Sequence, residues 1–153
     1  MSREYRFDHR WTLPLPADRL FDVLVDVAGY PAWWPQVRAV ARVDEDTAHV
    51  VARSRLPYAL DLQLTRVVED RASGVLEARL GGRLEGWARW TLTPVGTATT
   101  VRYEQEVVVH GLLMSLGSRL ARPLLEANHD AMMRGARDGL LSRGREPGGS
   151  SAR

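Results

Sequence analysis

The stretch that decides the fold places two adjacent tryptophans between two prolines: Gly29-Tyr30-Pro31-Ala32-Trp33-Trp34-Pro35. Proline is tolerated at the first position of a helix, so Pro31 to Trp34 is predicted to form a short helical turn. Upstream, Pro16-Ala17-Asp18 closes a weakly alternating segment and opens one with helical spacing. Two large indoles are costly to expose, and we expect them to line either a core or a cavity.

Length and composition restrict the class of protein. The chain has 153 residues, of which 44% are hydrophobic, enough for one domain with a substantial core. It has no cysteine, which excludes disulfides, thiol catalysis and thiolate metal sites. No apolar segment approaches the roughly 20 residues of a membrane span, and the N-terminus has no signal-peptide core. We therefore expect a cytoplasmic protein without integral membrane association.

The basic residues are all arginine, a bias typical of a GC-rich bacterial genome. The formal net charge is only +2, and the arginines are scattered among acidic residues. Nucleic-acid-binding proteins concentrate basic residues on one face or along one helix, so no nucleic-acid partner is expected. The absence of lysine also excludes Schiff-base chemistry.

The spacing of apolar residues changes its period along the chain. A first strand over Tyr5–Leu13 precedes a helix over Arg19–Val27, for which Asp18 is the predicted N-cap. A period of two then predicts six more strands, over residues 37–43, 47–55, 58–65, 75–80, 84–92 and 97–109. Short turns between them, such as Asp44-Glu45-Asp46 and Gly81-Gly82, indicate hairpins and hence an antiparallel sheet.

Helical spacing returns from about Leu112 to Arg143, and Pro123 is expected to kink this long helix. No other predicted element is long enough to cover the apolar face of the sheet. We therefore predict an α+β protein: a curved seven-stranded antiparallel sheet wraps around a long C-terminal helix, with two short helices after strand 1. A single domain over residues 1–143 and a disordered tail over 144–153 are expected.

Several short motifs carry a resemblance to a known family. They are Pro16-Ala17-Asp18-x-x-Phe21, Tyr30-Pro31-x-Trp33-Trp34-Pro35, Trp90-x-Leu92-x-Pro94 and Val101-x-Tyr103. In these the chain resembles the START-like (SRPBCC) helix-grip superfamily, and within it the bacterial polyketide cyclase/dehydrase and lipid-transport group. The resemblance covers about Tyr5 to Leu141 and implies an internal cavity for a hydrophobic ligand. It implies no single activity, because this scaffold carries binders, carriers and enzymes alike.

Aromatic residues on the predicted inward faces are candidates for ligand contacts. Trp33 and Trp34 either line the cavity entrance or form a hydrophobic plug between the short helices and the long one. Trp90 and Tyr103 either pack in the core or form the cavity floor, where the Tyr103 hydroxyl would address a ligand carbonyl. Gly86 is expected to leave room in the cavity where a side chain would otherwise lie.

Two amides on apolar faces complete the candidate site. Gln105 follows Tyr103 on the same strand face, and Asn128 lies on the apolar side of the long helix. A buried amide needs hydrogen-bond partners, which either a ligand or a neighbouring group supplies. The full set of candidate ligand-binding residues is Trp33, Trp34, Tyr58, Trp90, Tyr103, Gln105, Asn128 and Met132.

No sequence pattern predicts a metal site or a catalytic group. The histidines are scattered and lack the spacing of metal-binding motifs; they are His9, His49, His110 and His129. His129 and Asp130 are neighbours on a helix and are not expected to face each other. No nucleophile elbow, phosphate loop or pair of inward carboxylates is present. We therefore expect no metal and no cofactor, and we name no catalytic residue.

Three functions are compatible with these features. The first is binding, carrying or protecting a small hydrophobic molecule such as a polyketide, a lipid or an isoprenoid. The second is a polyketide cyclase or dehydratase that folds a reactive chain, with Tyr103, Gln105 and Asn128 polarising its carbonyls. The third is a protein-interaction module acting through its arginine-rich surface. The sequence determines neither the ligand, nor catalysis, nor the pathway, nor whether the protein is a monomer or a dimer.

Overall fold

One seven-stranded antiparallel sheet and one long helix form the framework of the protein. The structure, a computed structural model, describes residues 3–53, 59–109 and 118–146. The strands are β1 (Arg3–Leu13), β2 (Val37–Arg42), β3 (Thr47–Ala52), β4 (Leu60–Asp70), β5 (Val75–Gly82), β6 (Leu84–Val95) and β7 (Ala98–Val109). The helices are α1 (Ala17–Val25), α2 (Tyr30–Trp33) and α3 (Ser118–Arg145), with a 3₁₀ turn at Val27–Gly29. The predicted α+β helix-grip architecture is confirmed.

The strand order joins the two ends of the chain within the sheet. It runs β1-β7-β6-β5-β4-β3-β2, so the first strand pairs with the last. Tyr103 on β7 lies opposite His9 on β1 and Trp90 on β6. Directly beside this row, Gln105 lies opposite Phe7 on β1. Because side chains alternate across a strand, all five face the same side of the sheet, toward α3.

Helix α1 begins two residues earlier than the sequence predicted. Its N-cap is Pro16, not Asp18, and no side chain caps it. Proline has no N–H and a fixed φ, so it ends the preceding segment and lets Ala17 begin the helix. Asp18 instead lies in the first turn, where a carboxylate is favoured by the helix dipole, 3.6 Å from Arg71.

The predicted turn between β2 and β3 is present and is held by one carboxylate. Asp44 Oδ1 accepts hydrogen bonds from the backbone N–H groups of Asp46, at 2.9 Å, and Thr47, at 2.8 Å. These bonds hold the pKa of Asp44 below its usual value. Strand β3 ends at Ala52, and residues 54–55 of the predicted strand lie outside the described residues.

Helix α3 lies across the inward face of the sheet and packs against α1 and α2. Met133, Ala136 and Leu140 of this helix are fully buried. Pro123 lies inside the helix without ending it, and the helix continues to Arg145, two residues beyond the predicted end. None of the helices in the described ranges is long and apolar enough to cross a membrane.

Gly86 has a different role from the one predicted. It is not among the residues that line the cavity between sheet and helix. A Cβ at this position would collide with the backbone carbonyl of Glu106 on β7. Gly86 therefore allows β6 and β7 to approach closely, and the space beside it is occupied by backbone.

Candidate functional site

A cavity of about 350 Å³ lies between the sheet and α3. Its walls are mainly inward-facing aliphatic and aromatic side chains of the strands, closed on one side by Leu125, Asn128, His129 and Met132 of α3. The volume falls at the lower end of the roughly 300–1,000 Å³ of small-molecule sites. An apolar enclosed space of this size suits a compact hydrophobic ligand.

Aromatic rings form a continuous wall along this cavity. Trp34 and Trp90 meet edge to face with centroids 6.1 Å apart, and Trp90 and Tyr103 lie 4.6 Å apart. The His129 ring is 5.9 Å from Tyr103 and stacks on Phe7 at 3.7 Å. Rings held by one another in this way present rigid faces on which a planar ligand can stack.

The structure separates the two adjacent tryptophans by role. Trp34 lines the cavity, and its Nε1–H donates a 2.9 Å hydrogen bond to the backbone carbonyl of Met132 on α3. Trp33 does not line the cavity; it packs against α3 at Gly139. The sequence left open whether the two rings line the entrance or form a plug. Trp33 is the last residue of α2, whereas Trp34 follows it with extended backbone, so the two side chains leave the chain in different surroundings. Trp33 is therefore a packing residue, and Trp34 is the cavity residue.

A group of polar side chains interrupts the aromatic wall. The Tyr103 hydroxyl donates to Gln105 Oε1 at 2.5 Å, and His129 Nε2 lies 3.2 Å from the same oxygen. Burial raises the pKa of the Tyr103 phenol above its usual value. Burial, followed by repulsion from His9, lowers the pKa of His129 to about 3. Both groups are therefore neutral at physiological pH.

The directions of these hydrogen bonds limit the chemistry of this polar group. Gln105 Oε1 accepts from Tyr103, so the Tyr103 proton is directed at Gln105 and not at a ligand carbonyl, which was one of the two roles considered from the sequence. The phenol oxygen keeps lone pairs and can accept a hydrogen bond from a ligand hydroxyl. With its low pKa, His129 is a weak base at neutral pH. The arrangement is better suited to orienting a ligand than to transferring protons.

The remaining predicted site residues are placed as follows. Asn128 and Met132 line the cavity from α3, and Gln105 and Trp90 line it from the sheet. Tyr58 lies outside the described residues. Six of the eight candidates are thus brought together around one cavity, and these are Trp34, Trp90, Tyr103, Gln105, Asn128 and Met132.

Sequence reasoning missed a contact between two histidines. It predicted scattered histidines, but His9 Nε2 lies 3.2 Å from His129 Nδ1, and Asp130 is 3.7 Å from His9. The signal that could have drawn attention to His9 is its alternation with Phe7 and Trp11, which places it on the inward face of β1. Its partner could not be identified from that alternation.

Charged residues surround the cavity where it reaches the surface. We call this rim the mouth and define it as Asp26, Arg42, Asp44, Glu45, Asp46, Arg66 and Glu69. Arg66 binds Asp46 and Glu69 at 2.7 Å each, which joins the β2–β3 turn to β4. The mouth carries five carboxylates and two guanidinium groups, so it is acidic overall.

The architecture and the cavity together define a START-like helix-grip protein. A family model described as polyketide cyclase / dehydrase and lipid transport matches residues 13–133, and the chain belongs to that family. No curated protein sequence matches it.

Solved structures with low sequence identity share this fold. The Zhui aromatase/cyclase from Streptomyces sp. R1128 superposes with a TM-score of 0.80 at 18% identity, covering 93% of this chain and 94% of that one. A START superfamily protein from Mycobacterium smegmatis gives 0.71 at 12% identity, with coverages of 90% and 95%. The di-domain ARO/CYC BexL from the BE-7585A biosynthetic pathway gives 0.75 at 14% identity, where 94% of this chain matches 51% of that chain. At such identities the likeness establishes the fold alone.

Proposed function

We propose that this protein binds a small, uncharged hydrophobic molecule in the cavity between the sheet and α3, as a cytoplasmic carrier or protective host. The observation that carries the proposal is the 350 Å³ cavity, with its continuous aromatic wall and the neutral polar group of Tyr103, Gln105 and His129. The described residues leave this space open, whereas an interaction module would have been favoured by a pocket filled with side chains.

The walls of the cavity favour one ligand class among those compatible with the family. Trp34, Trp90 and Tyr103 offer ring faces and edges, which suits a planar, ring-bearing molecule such as an aromatic polyketide better than a saturated chain. The Tyr103 oxygen and the Asn128 amide can hydrogen-bond a ligand hydroxyl or carbonyl. A lipid or isoprenoid with a hydroxyl end is the next best fit.

Ligand binding can be tested by narrowing the cavity. Ala88 lines it from the centre of β6, so Ala88→Phe is expected to weaken binding at least roughly tenfold by occupying ligand volume. Ala41 lies on the exposed face of β2 outside the cavity, and Ala41→Phe is the matched control. Binding of flavonoids, polyphenols, quinones and fatty alcohols is measured by native mass spectrometry and by tryptophan fluorescence quenching.

Two outcomes of this experiment would contradict the proposal. One is that the wild-type protein binds no member of the panel. The other is that Ala88→Phe binds as tightly as Ala41→Phe while both variants keep the circular dichroism spectrum of the wild type.

A cyclase or dehydratase is the second candidate function. It is favoured by the family description and by the presence of Tyr103, Gln105 and His129 on the cavity wall. Since Tyr103 and His129 are neutral and Gln105 is an amide that does not titrate, such an enzyme would act mainly by holding a reactive chain in a bent shape. Loss of turnover with retained binding in Tyr103→Phe or Asn128→Ala would support it, and an unchanged product profile in both would exclude it.

A further inference from the structure

Three side chains with metal-ligating atoms meet where α3 packs on β1. His9 Nε2 lies 3.2 Å from His129 Nδ1 and 3.7 Å from Asp130 Oδ1, and all three ligand atoms fall within 4.8 Å of one another. No other group of three such residues occurs in the ranges the structure describes. His129 is buried, His9 is half-buried and Asp130 is exposed. The cluster is therefore anchored in the interior and open to solvent at its outer side.

Hydrogen bonding fixes which nitrogen of His129 is available to a metal. Gln105 Oε1 is an acceptor and lies 3.2 Å from His129 Nε2, so we assign the ring proton to Nε2. His129 Nδ1 therefore carries a lone pair, directed toward His9 Nε2. Metal-bound histidines in proteins commonly have this arrangement, in which the second nitrogen donates to a carbonyl oxygen and orients the ring.

We propose that His9, His129 and Asp130 bind one divalent transition-metal ion. In a tetrahedral site with bonds of about 2.0–2.1 Å, neighbouring ligand atoms lie about 3.3 Å apart. The 3.2 Å between the two imidazole nitrogens fits this spacing without movement. His9 Nε2 and Asp130 Oδ1 are 3.7 Å apart, and a small rotation of the exposed Asp130 side chain shortens this distance to the required spacing. The ion takes the place of the proton that the two rings otherwise share.

The ligand set selects the class of ion. Two imidazole nitrogens and one carboxylate oxygen are typical of zinc, iron(II), cobalt or nickel, whereas magnesium and calcium prefer oxygen ligands. Three protein ligands leave a coordination position for water on the exposed Asp130 side.

Binding at this cluster has a structural consequence beyond the cluster itself. The ion would join strand β1 to helix α3 through one histidine of each. Gln105 contacts both His129 and Tyr103, so it connects the cluster to the cavity wall. We therefore expect an ion to stabilise the packing of α3 on the sheet.

The test is calorimetric titration of the full-length, tag-free, EDTA-treated protein with zinc chloride and with cobalt chloride. We expect one ion per chain and, for cobalt, visible absorption bands of a nitrogen- and oxygen-ligated ion. At a hundredfold excess over the dissociation constant, the melting temperature should rise by roughly 5–10 °C.

Variants distinguish the cluster from adventitious binding. His9→Asn, at a half-buried position, and Asp130→Asn, at an exposed one, should each weaken metal binding by more than about tenfold. Removing a residue that only hydrogen-bonds a metal ligand already costs about tenfold, and removing a ligand should cost more. His49 forms a comparable pair with Asp61, at 3.6 Å, but without a second histidine, and His49→Asn should leave binding unchanged.

The proposal is overturned if the wild type binds neither ion stoichiometrically, or if binding survives His9→Asn at full strength. Hydrophobic ligand binding is measured separately, on the EDTA-treated protein. A failure of metal binding can then be distinguished from a failure of the proposed hydrophobic-ligand binding.

Discussion

At the scale of single residues, Tyr30 shows how this protein encloses a polar group. Its hydroxyl donates a 2.5 Å hydrogen bond to the backbone carbonyl of Leu24, and its ring contacts Trp33 with centroids 5.0 Å apart. Burial raises the pKa of the Tyr30 phenol well above its usual value. In alkali the native state therefore retains a proton that the unfolded chain releases.

Replacing this phenol is expected to change alkaline stability in a defined direction. Since the folded pKa lies above the unfolded value, the stabilisation is complete below about pH 10 and is lost as the pH rises further. Wild type should lose about 1.4 kcal/mol per pH unit more than Tyr30→Phe between about pH 10 and 12. Urea unfolding at a series of pH values measures both slopes.

The composition of the chain simplifies the comparison of the two alkaline stability curves. The chain has no lysine, so no lysine ammonium titrates in that pH range. Loss of the hydrogen bond to Leu24 shifts the Tyr30→Phe curve at every pH and leaves its slope unaffected. Equal slopes for wild type and variant would refute the expectation.

At the scale of elements, the contact between α2 and α3 depends on a glycine. Gly139 lies on α3 directly against Trp33, and a Cβ there would collide with the backbone carbonyl of Trp33. Gly135, one turn earlier, faces the end of the Gln36 side chain instead. Backbone cannot move aside as a flexible side chain can, so the two glycines are not equivalent.

Alanine substitution of Gly139 should destabilise the protein despite its better helix propensity. Alanine is favoured over glycine by about 1 kcal/mol in a helix interior, but overpacking a fixed contact costs about 1–3 kcal/mol. Gly139→Ala should therefore lower the free energy of unfolding, and Gly135→Ala should have a clearly smaller effect. Chemical denaturation of both variants measures these free energies of unfolding. Equal effects would contradict the prediction, because they would show that the backbone of α2 moves to accommodate the added methyl group.

At the scale of the whole molecule, charged side chains are nearly absent from the cavity wall behind the mouth. Apart from the mouth, the one charged side chain of the described cavity wall is Glu77, which pairs with Arg89 at 2.6 Å. The other polar groups there are neutral, chiefly Tyr103, Gln105, Asn128 and His129. A carboxylate placed inside would lose its hydration without gaining a cationic partner, which is strongly unfavourable. It would also have to pass an entrance in which carboxylates outnumber guanidinium groups.

We therefore expect the protein to discriminate against anionic ligands. A ring-bearing or fatty alcohol should bind at least roughly tenfold more tightly than the carboxylic acid of the same carbon skeleton at pH 7.5. The methyl ester of that acid is the matched control and should bind like the alcohol. Competition against a neutral fluorescent probe measures all three, and an acid that binds as tightly as its ester would contradict this view of the cavity.

The order of elements was predictable because it depends on local chemistry. Alternation such as Tyr103-x-Gln105 marks the inward face of a strand. The acidic turn that begins at Asp44 marks the boundary between two strands, because the Asp44 carboxylate accepts hydrogen bonds from the backbone of the turn. The N-terminus of α1 was misplaced because Asp18 satisfies the usual capping preference while Pro16 supplies the actual break. Helix limits are decided by backbone geometry that side-chain preferences describe only in part.

The site was predictable only up to which residues face inward. By itself, the sequence determined the order of strands and helices and the inward positions of Trp90, Tyr103 and Gln105, because a period of two assigns each side chain of a strand to one face. Only the tertiary structure decided that Trp34 lines the cavity while Trp33 packs on α3. It also brought His9 to His129 across 120 positions of the chain. Periodicity determines which face of an element a side chain lies on. The residue that the side chain contacts depends on which distant element packs against that face, and this is decided by the packing of the whole fold.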